Sequence, residues 1–357
     1  MIGRRTVLLL ALLALACGRK SSRSTDAANG KDGVVALNGA GATFPFPLYS
    51  KWTAEYNRLY PNVRINYQSI GSGGGIRQIV AQTVDFGASD AAMQPSEAAG
   101  APGKITHIPT VIGSVVVTYN LEGVNAPLKL TPEALAGIFL GEVKKWNDPR
   151  IAEHNPGVPL PDKDIAVVYR SDGSGTTAVF TEYLSTVSPA WKEKVGTGKS
   201  VKWPVGLGAK GNEGIAGQVK TTPGTIGYVE LAYATQTKLP KAAIRNKAGK
   251  FVEPSPEAAT AAAEGVELPD TLHASLVDAS GENAYPIAAY TYILVYEDMK
   301  NPEKAQTLVR FLWWAVHDGQ KFAKDLDYAP LPPQVVTQIE AKLKTLTAGG
   351  KPAFGGV

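Results

Sequence analysis

From Val34 onward the chain repeats one pattern: a short apolar run, a loop rich in glycine or serine, then a stretch with apolar residues at helical spacing. VVALNGAGATF precedes a helical stretch from Phe46 to Tyr60, with Leu48, Trp52, Tyr56 and Leu59 on one side and Pro61 as its stop. VRINYQSI alternates as a half-buried strand does, and GSGGG then opens a helix carrying Ile76, Ile79, Val80 and Thr83. VDFGASD and VIGSVVVTYN read as strands, and TPEALAGIF as a helix with Thr131 as N-cap and Pro132 at its first position. IAVVYRSDGSGTTAVFTEYLS is strand, loop and helix again, TIGYVEL and YTYILVY are later strands, and PEKAQTLVRFLWWAV and PPQVVTQIEAKL are closing helices. This alternation predicts an α/β architecture with largely parallel sheets. No fixed internal repeat is visible.

In open α/β sheets, ligands bind at the carboxyl ends of strands, beside helix amino termini. Four loops sit at that kind of position. GAGATFPF (residues 39–46) has glycines that free backbone N–H groups, and Thr43 adds a hydroxyl. SIGSGGG (69–75) offers Ser72, and DFGASD ends in Asp90. YRSDGSGTT is the strongest, because Arg170, Ser174 and Thr176 join a fixed charge to hydroxyl donors at a helix start. It is neither a P-loop, which requires a lysine, nor a dinucleotide fingerprint, since the G-x-G-x-x-G spacing is absent. The loops suit an oxyanion.

A length of 357 residues suits about two domains. The 25 prolines and 37 glycines mark many turns. Formal net charge is +4, falling to +2 without Arg4 and Arg5, which is too weak to imply nucleic-acid binding. MIGRRTVLLLALLALACGRK places two arginines before an apolar run from Val7 to Ala16, which is too short to span a bilayer. It reads as a secretory signal over residues 1–16. Cys17, the only cysteine, stands where a bacterial lipoprotein signal places its acylated residue, although Ala14 occupies a position that usually carries leucine. The Arg4-Arg5 pair weakly resembles a twin-arginine export signal. Residues 17–33 read as a lipidated, polar, flexible tether. The expectation is a body held to a membrane outside the cytoplasm, in the periplasm or at the cell surface.

GAGATFPFPLYSKW, YQSIGSGGG, VDFGASD, RSDGSGTT and GNEGIAGQV…PGTIGYVE together resemble the phosphate-binding proteins of bacterial phosphate-specific ABC transporters. The resemblance runs from about Leu37 to the mid-300s. It implies a two-lobed periplasmic binding protein fold (type II) with two hinge crossings, and phosphate held without its water in the cleft. By matching motif it implies Thr43, Phe44 and Ser72 as donors, Asp90 as the acidic ligand, and Arg170, Ser174, Gly175 and Thr176 as donors of the opposite lobe. Asp172 is expected to hold the Arg170 guanidinium. Related sequences often have serine at Gly73 and alanine at Ser171. For GNEGIAGQV a helix start is expected, with no role toward ligand.

Asp90 is the informative residue. A carboxylate beside an anion is repulsive unless the ligand brings a proton. Inorganic phosphate carries at least one at neutral pH, whereas sulfate carries none. A site built around such a hydrogen bond rejects the analogue lacking it by about 10⁴–10⁵-fold. The alternative role for Asp90, a helix N-cap, implies no such selectivity. Phosphate has few heavy atoms, so a ceiling of about 1.5 kcal/mol per atom places affinity at roughly micromolar. Closure of the lobes on binding is expected.

A phosphatase would need a nucleophile with a base, or metal ions. His107, His154, His273 and His317 are scattered, and Asp162 with Asp164 reads as a solvated turn. The expectation is therefore a binder, not an enzyme, with no metal or cofactor. A binder of another oxyanion and a secreted phosphatase are the alternatives. Lobe I is expected to be residues 34–119 plus 286–357, and lobe II residues 120–285. The resemblance implies an ABC permease and ATPase as partners, and a monomer is expected. Arg170→Ala is expected to weaken phosphate binding with the fold intact.

Overall fold

In the computed structural model, residues 33–124 and 126–355 are described. Cys17, the apolar run before it and nearly all of the polar stretch after it lie outside them. The first part runs β1 (Val35–Gly41), α1 (Phe46–Leu59), β2 (Val63–Ser69), α2 (Ser72–Val80), β3 (Phe86–Ser89), α3 (Pro95–Ala98) and the long β4 (Ile105–Tyr119). Then come β5 (Lys129–Leu130), α4 (Pro132–Phe139), α5 (Pro149–Ala152), β6 (Ala166–Arg170), α6 (Gly175–Val187) and α7 (Pro189–Lys194). β7 (Leu207–Ala209), α8 (Gly211–Thr221), β8 (Thr225–Glu230), α9 (Leu231–Gln236), β9 (Ala243–Arg245), β10 (Phe251–Val252) and α10 (Pro256–Ala263) complete the middle. The chain closes with β11 (Ala288–Tyr296), β12 (Asp298–Met299), α11 (Pro302–Val316), α12 (Pro333–Thr345), β13 (Thr347–Ala348) and β14 (Lys351–Pro352).

The main sheet has the order β2-β1-β3-β11-β4-β8-β6-β7. Its two flanks are parallel, as expected: β1 pairs with β2 and β3, and β6 with β7 and β8. Its centre is not. β11 runs antiparallel to β3 and β4, and β4 antiparallel to β8. The reason lies in the path of the chain. β4 pairs with β11 over its first part and with β8 from Val115 to Tyr119, so one strand belongs to both halves. The chain returns beside it, where the Val115 N–H donates to the Ile287 carbonyl at 2.8 Å. An outgoing and a returning strand laid side by side are necessarily antiparallel. These are the two hinge crossings of a two-lobed type II fold.

Each half has its own packing. On α1, Leu48, Trp52 and Tyr56 are buried as the spacing predicts, whereas Leu59 at its end is exposed. Tyr56 packs edge-on against Phe311 and Trp314 of α11, and Trp52 donates to the Gly319 carbonyl at 2.8 Å. The carboxyl-terminal helices thus cover the half that begins at β1. In the other half Phe180 of α6 stacks on Tyr228 of β8 at 4.3 Å, with Phe139 of α4 edge-on against Phe180. Each fully buried side chain of this size contributes roughly 1.5–3 kcal/mol. Thr131 caps α4 through the Ala134 N–H, as expected. Among the described residues no helix is long and apolar enough to cross a membrane.

Candidate anion-binding site

Four helices begin at one place. The loop from β1 into α1 brings Thr43 and Phe44, the turn from β2 into α2 brings Ser72, and the loop from β6 into α6 brings Ser174, Gly175 and Thr176. The fourth, α8, begins at Gly211 and brings Asn212. Helix amino termini present unpaired N–H groups and partial positive charge, which favours an anion. β3 ends beside them and delivers Asp90. Thr43, Ser72, Asp90, Arg170, Ser174, Gly175 and Thr176 are all buried, as is Phe44.

The groups meet directly across the two halves. The Gly175 N–H donates to Ser72 Oγ at 3.0 Å, and the Asp90 N–H to the same oxygen at 3.3 Å. The Thr176 hydroxyl donates to Asp90 Oδ2 at 3.5 Å, and Arg170 Nη1 to Thr176 Oγ1 at 3.4 Å. Those long distances belong to groups that converge without satisfying one another. The Phe44 N–H meets no acceptor among the described residues, while its carbonyl accepts from the Tyr328 hydroxyl at 2.6 Å.

Arg170 is held by Asp172. Its Nε donates to Asp172 Oδ1 at 2.8 Å and its Nη2 to Oδ2 at 2.6 Å. The Arg170 side chain is only 1% exposed, so this two-toothed pair offsets the cost of burying the charge. Burial opposes ionisation of Asp172, but the adjoining guanidinium holds its carboxyl below the usual carboxylate range. The Gly211 N–H donates to Asp172 Oδ1 at 3.0 Å and so ties α8 to the pair.

Asp90 is different. Burial pushes its carboxyl from 3.8 up to about 7, against the lowering effects of the Thr291 hydroxyl, Arg170, Ser72 and Thr176. It does not cap a helix: Gln94 occupies the N-cap of α3 and the loop between is free of helix. The structure therefore removes the alternative role weighed for Asp90. Ser174 does cap α6, its Oγ accepting from the Thr177 N–H at 3.0 Å, which leaves its hydroxyl proton to give. Gly73, placed beside Ser72, donates its N–H to the Gly173 carbonyl at 2.9 Å and so also spans the two halves.

Two residues escape the sequence reading. Asn212 Nδ2 donates to Thr43 Oγ1 at 2.7 Å and to Thr176 Oγ1 at 3.3 Å, with its Oδ1 fixed by the Glu230 N–H at 3.0 Å. GNEGIAGQV is thus a fifth loop in the cluster rather than a helix start alone. The usable signal was an asparagine behind a glycine at a helix start, the same signature as the other loops. Thr291 donates to Asp90 Oδ1 at 2.9 Å from within the apolar strand β11. A lone threonine in such a run was its only mark.

Outside this cluster, Asp162 pairs at the surface with Lys145 at 2.5 Å, as a solvated turn does. Among the described residues no group of three or more histidine, cysteine or acidic side chains could hold a metal. No histidine bonds Ser174 there; His107 and His273 instead pack edge to face at 5.0 Å.

With a guanidinium, hydroxyls and helix-start amides gathered between its two halves, the fold is that of a two-lobed solute-binding protein. A family model described as a PBP superfamily domain matches residues 21–318. Phosphate-binding protein PstS of Pasteurella multocida is 48% identical over 312 residues, covering 87% of this chain and 90% of that protein. That of Methanocaldococcus jannaschii is 40% identical, covering 88% and 87%. A solved phosphate-binding protein from Stenotrophomonas maltophilia shares the fold, with a TM-score of 0.68 over 89% of this chain and 97% of that one at 20% identity. The chain belongs to the PstS family of phosphate-binding proteins.

Proposed function

We propose that the chain captures inorganic phosphate between its lobes and delivers it to an ABC importer, a permease with its ATPase. The relatives named above support this reading. The observation that carries it is Asp90, a buried acceptor among donors. Thr43, Phe44, Ser72 and Asp90 would serve from one lobe, and Arg170, Ser174, Gly175 and Thr176 from the other, with Asn212 as an added donor. The proposed lobes are Val34–Tyr119 with the chain from Pro286 onward, and Asn120–Tyr285. Arg170 and the helix starts neutralise the ion, while the Asp90 carboxylate accepts a hydrogen bond from the proton that phosphate carries. Titration calorimetry with phosphate and sulfate at pH 8 tests this, and equal affinities would sink the role given to Asp90.

The chain binds and releases, and cleaves nothing. Ser174 Oγ accepts from a helix N–H and has no base beside it among the described residues. Sustained turnover of p-nitrophenyl phosphate would overturn that reading. Cys17 would carry the lipid that holds the protein outside the cytoplasmic membrane, after removal of residues 1–16. Mass spectrometry of the mature amino terminus tests this, and an unacylated Cys17 would refute it.

A further inference from the structure

We infer that Lys199 is a positioning residue that latches the two lobes together and sets how slowly the anion leaves. The inference rests on the phosphate reading above. Lys199 lies between α7 and β7, in the second lobe. Its carbonyl accepts the N–H of Ser174, the cap of α6, at 2.8 Å. The segment is braced on α6: the Gly198 N–H donates to Thr181 Oγ1 at 3.1 Å, and the Thr197 hydroxyl donates to Ser185 Oγ at 2.9 Å. The side chain then leaves its own lobe. Its Nζ donates to the Ala92 carbonyl at 3.0 Å and pairs with Glu97 Oε2 at 2.8 Å.

Both acceptors belong to the loop that carries Asp90 and the short helix it leads into. Ala92 lies two residues beyond Asp90, and Glu97 sits in α3, where Oε2 also accepts the Gln94 N–H at 2.8 Å. One residue therefore grips the donor loop of one wall with its backbone and the acceptor loop of the other with its ammonium. The Lys199 side chain is 11% exposed and that of Glu97 28%, so the pair is shielded well beyond an ordinary surface ion pair. With Asp90, Gly73 and Gly173 the two line a cavity of about 810 Å³, which places the latch in the wall of the same cavity that Asp90 borders. Parting the lobes requires rehydrating both charges, and loss of one partner of a shielded pair acts mainly on dissociation. The Lys199 ammonium bonds none of the anion donors, so its effect is on closure rather than on recognition.

The test is release of radiolabelled phosphate from the full chain, chased with unlabelled phosphate and followed by rapid filtration. Lys199→Met keeps the stem and removes the charge, and Glu97→Gln removes the opposing charge while keeping an acceptor for the Gln94 N–H. Lys199→Met is expected to speed release about tenfold with association within about twofold of wild type, and Glu97→Gln to speed it less. Lys199→Arg is expected to restore release to within about threefold of wild type, which a loss of local packing alone would not produce. Should Lys199→Met fail to fold, Glu97→Gln carries the test by itself. Retention by wild type with unchanged release in both charge-removing variants would overturn the latch alone. Failure of wild type to retain phosphate at all would overturn the phosphate reading, and the latch with it.

Discussion

Arg170 and Asp172 stand two residues apart and form a two-toothed ion pair at 2.8 and 2.6 Å inside the protein. The pair fixes the plane of the guanidinium and leaves Nη1 directed at Thr176, toward the cluster. The charge proposed to meet the anion is thus neutralised in part by Asp172, and helix starts would supply the remaining positive potential.

Arg170→Ala should therefore do more than weaken binding. The sequence alone suggests an intact fold, but the variant strands a carboxylate that is mostly buried. Breaking such a pair costs about 3–5 kcal/mol where burial is complete, and somewhat less here. Calorimetric titration should show phosphate affinity down by at least about 10²-fold, and thermal unfolding should show a lower Tm. An Arg170→Ala protein with wild-type Tm and affinity would remove Arg170 from the site.

Asp90→Asn replaces an acceptor-only carboxylate with a side chain that also donates. A sulfate oxygen that meets repulsion in the wild type would meet an N–H. Sulfate affinity at pH 8 should rise about 10²-fold, a part of the discrimination such a hydrogen bond provides, with phosphate retained. Competition of sulfate against labelled phosphate measures this. Unchanged selectivity would assign discrimination to the shape of the cleft instead.

Three of the four loops were legible because turn chemistry is local: glycine with serine or threonine where a strand gives way to a helix can be read without knowing the fold, although only Ser174 caps its helix with a side chain. Asp90 was legible because a carboxylate among anion donors demands a chemical reason. Asn212 was not, since its partner Thr43 lies 169 residues away and only the closing of one half on the other joins them. Thr291 was hidden for a similar reason, 201 residues from Asp90. The antiparallel centre of the sheet was also illegible. A buried apolar strand such as β4 reads the same whichever way its neighbour runs.

The environment of Asp90 gives a dependence on pH. Burial raises its folded value above the unfolded one, from 3.8 to about 7. Between those values the folded chain holds a proton that the unfolded chain has released. Its contribution to ligand-free stability is therefore fully present below about pH 4 and is lost as the pH rises through about 7. Asp90→Asn lacks this titration, and other groups cancel in the comparison. The wild-type Tm minus the Asp90→Asn Tm should fall from pH 4.5 to about 7 and then level. A difference independent of pH would show that Asp90 does not titrate in that window.

Gly175 separates stability from binding most cleanly. It is the first residue of α6, where alanine suits the helix and removes unfolded-state freedom, for a gain of up to about 1 kcal/mol. A Cβ there, however, would lie 2.4 Å from Ser72 Oγ and 2.6 Å from Asp90 Oδ2, both on the opposing lobe. Lobes free to part relieve the clash, but lobes closed on an ion cannot. Gly175→Ala is therefore expected to keep or raise the ligand-free Tm while phosphate affinity drops about 10²-fold, since a small displacement of positioned donors is costly. Calorimetry and thermal unfolding on the same preparation read both quantities. Wild-type affinity in a folded Gly175→Ala protein would mean that the two walls do not meet at this point when phosphate is bound.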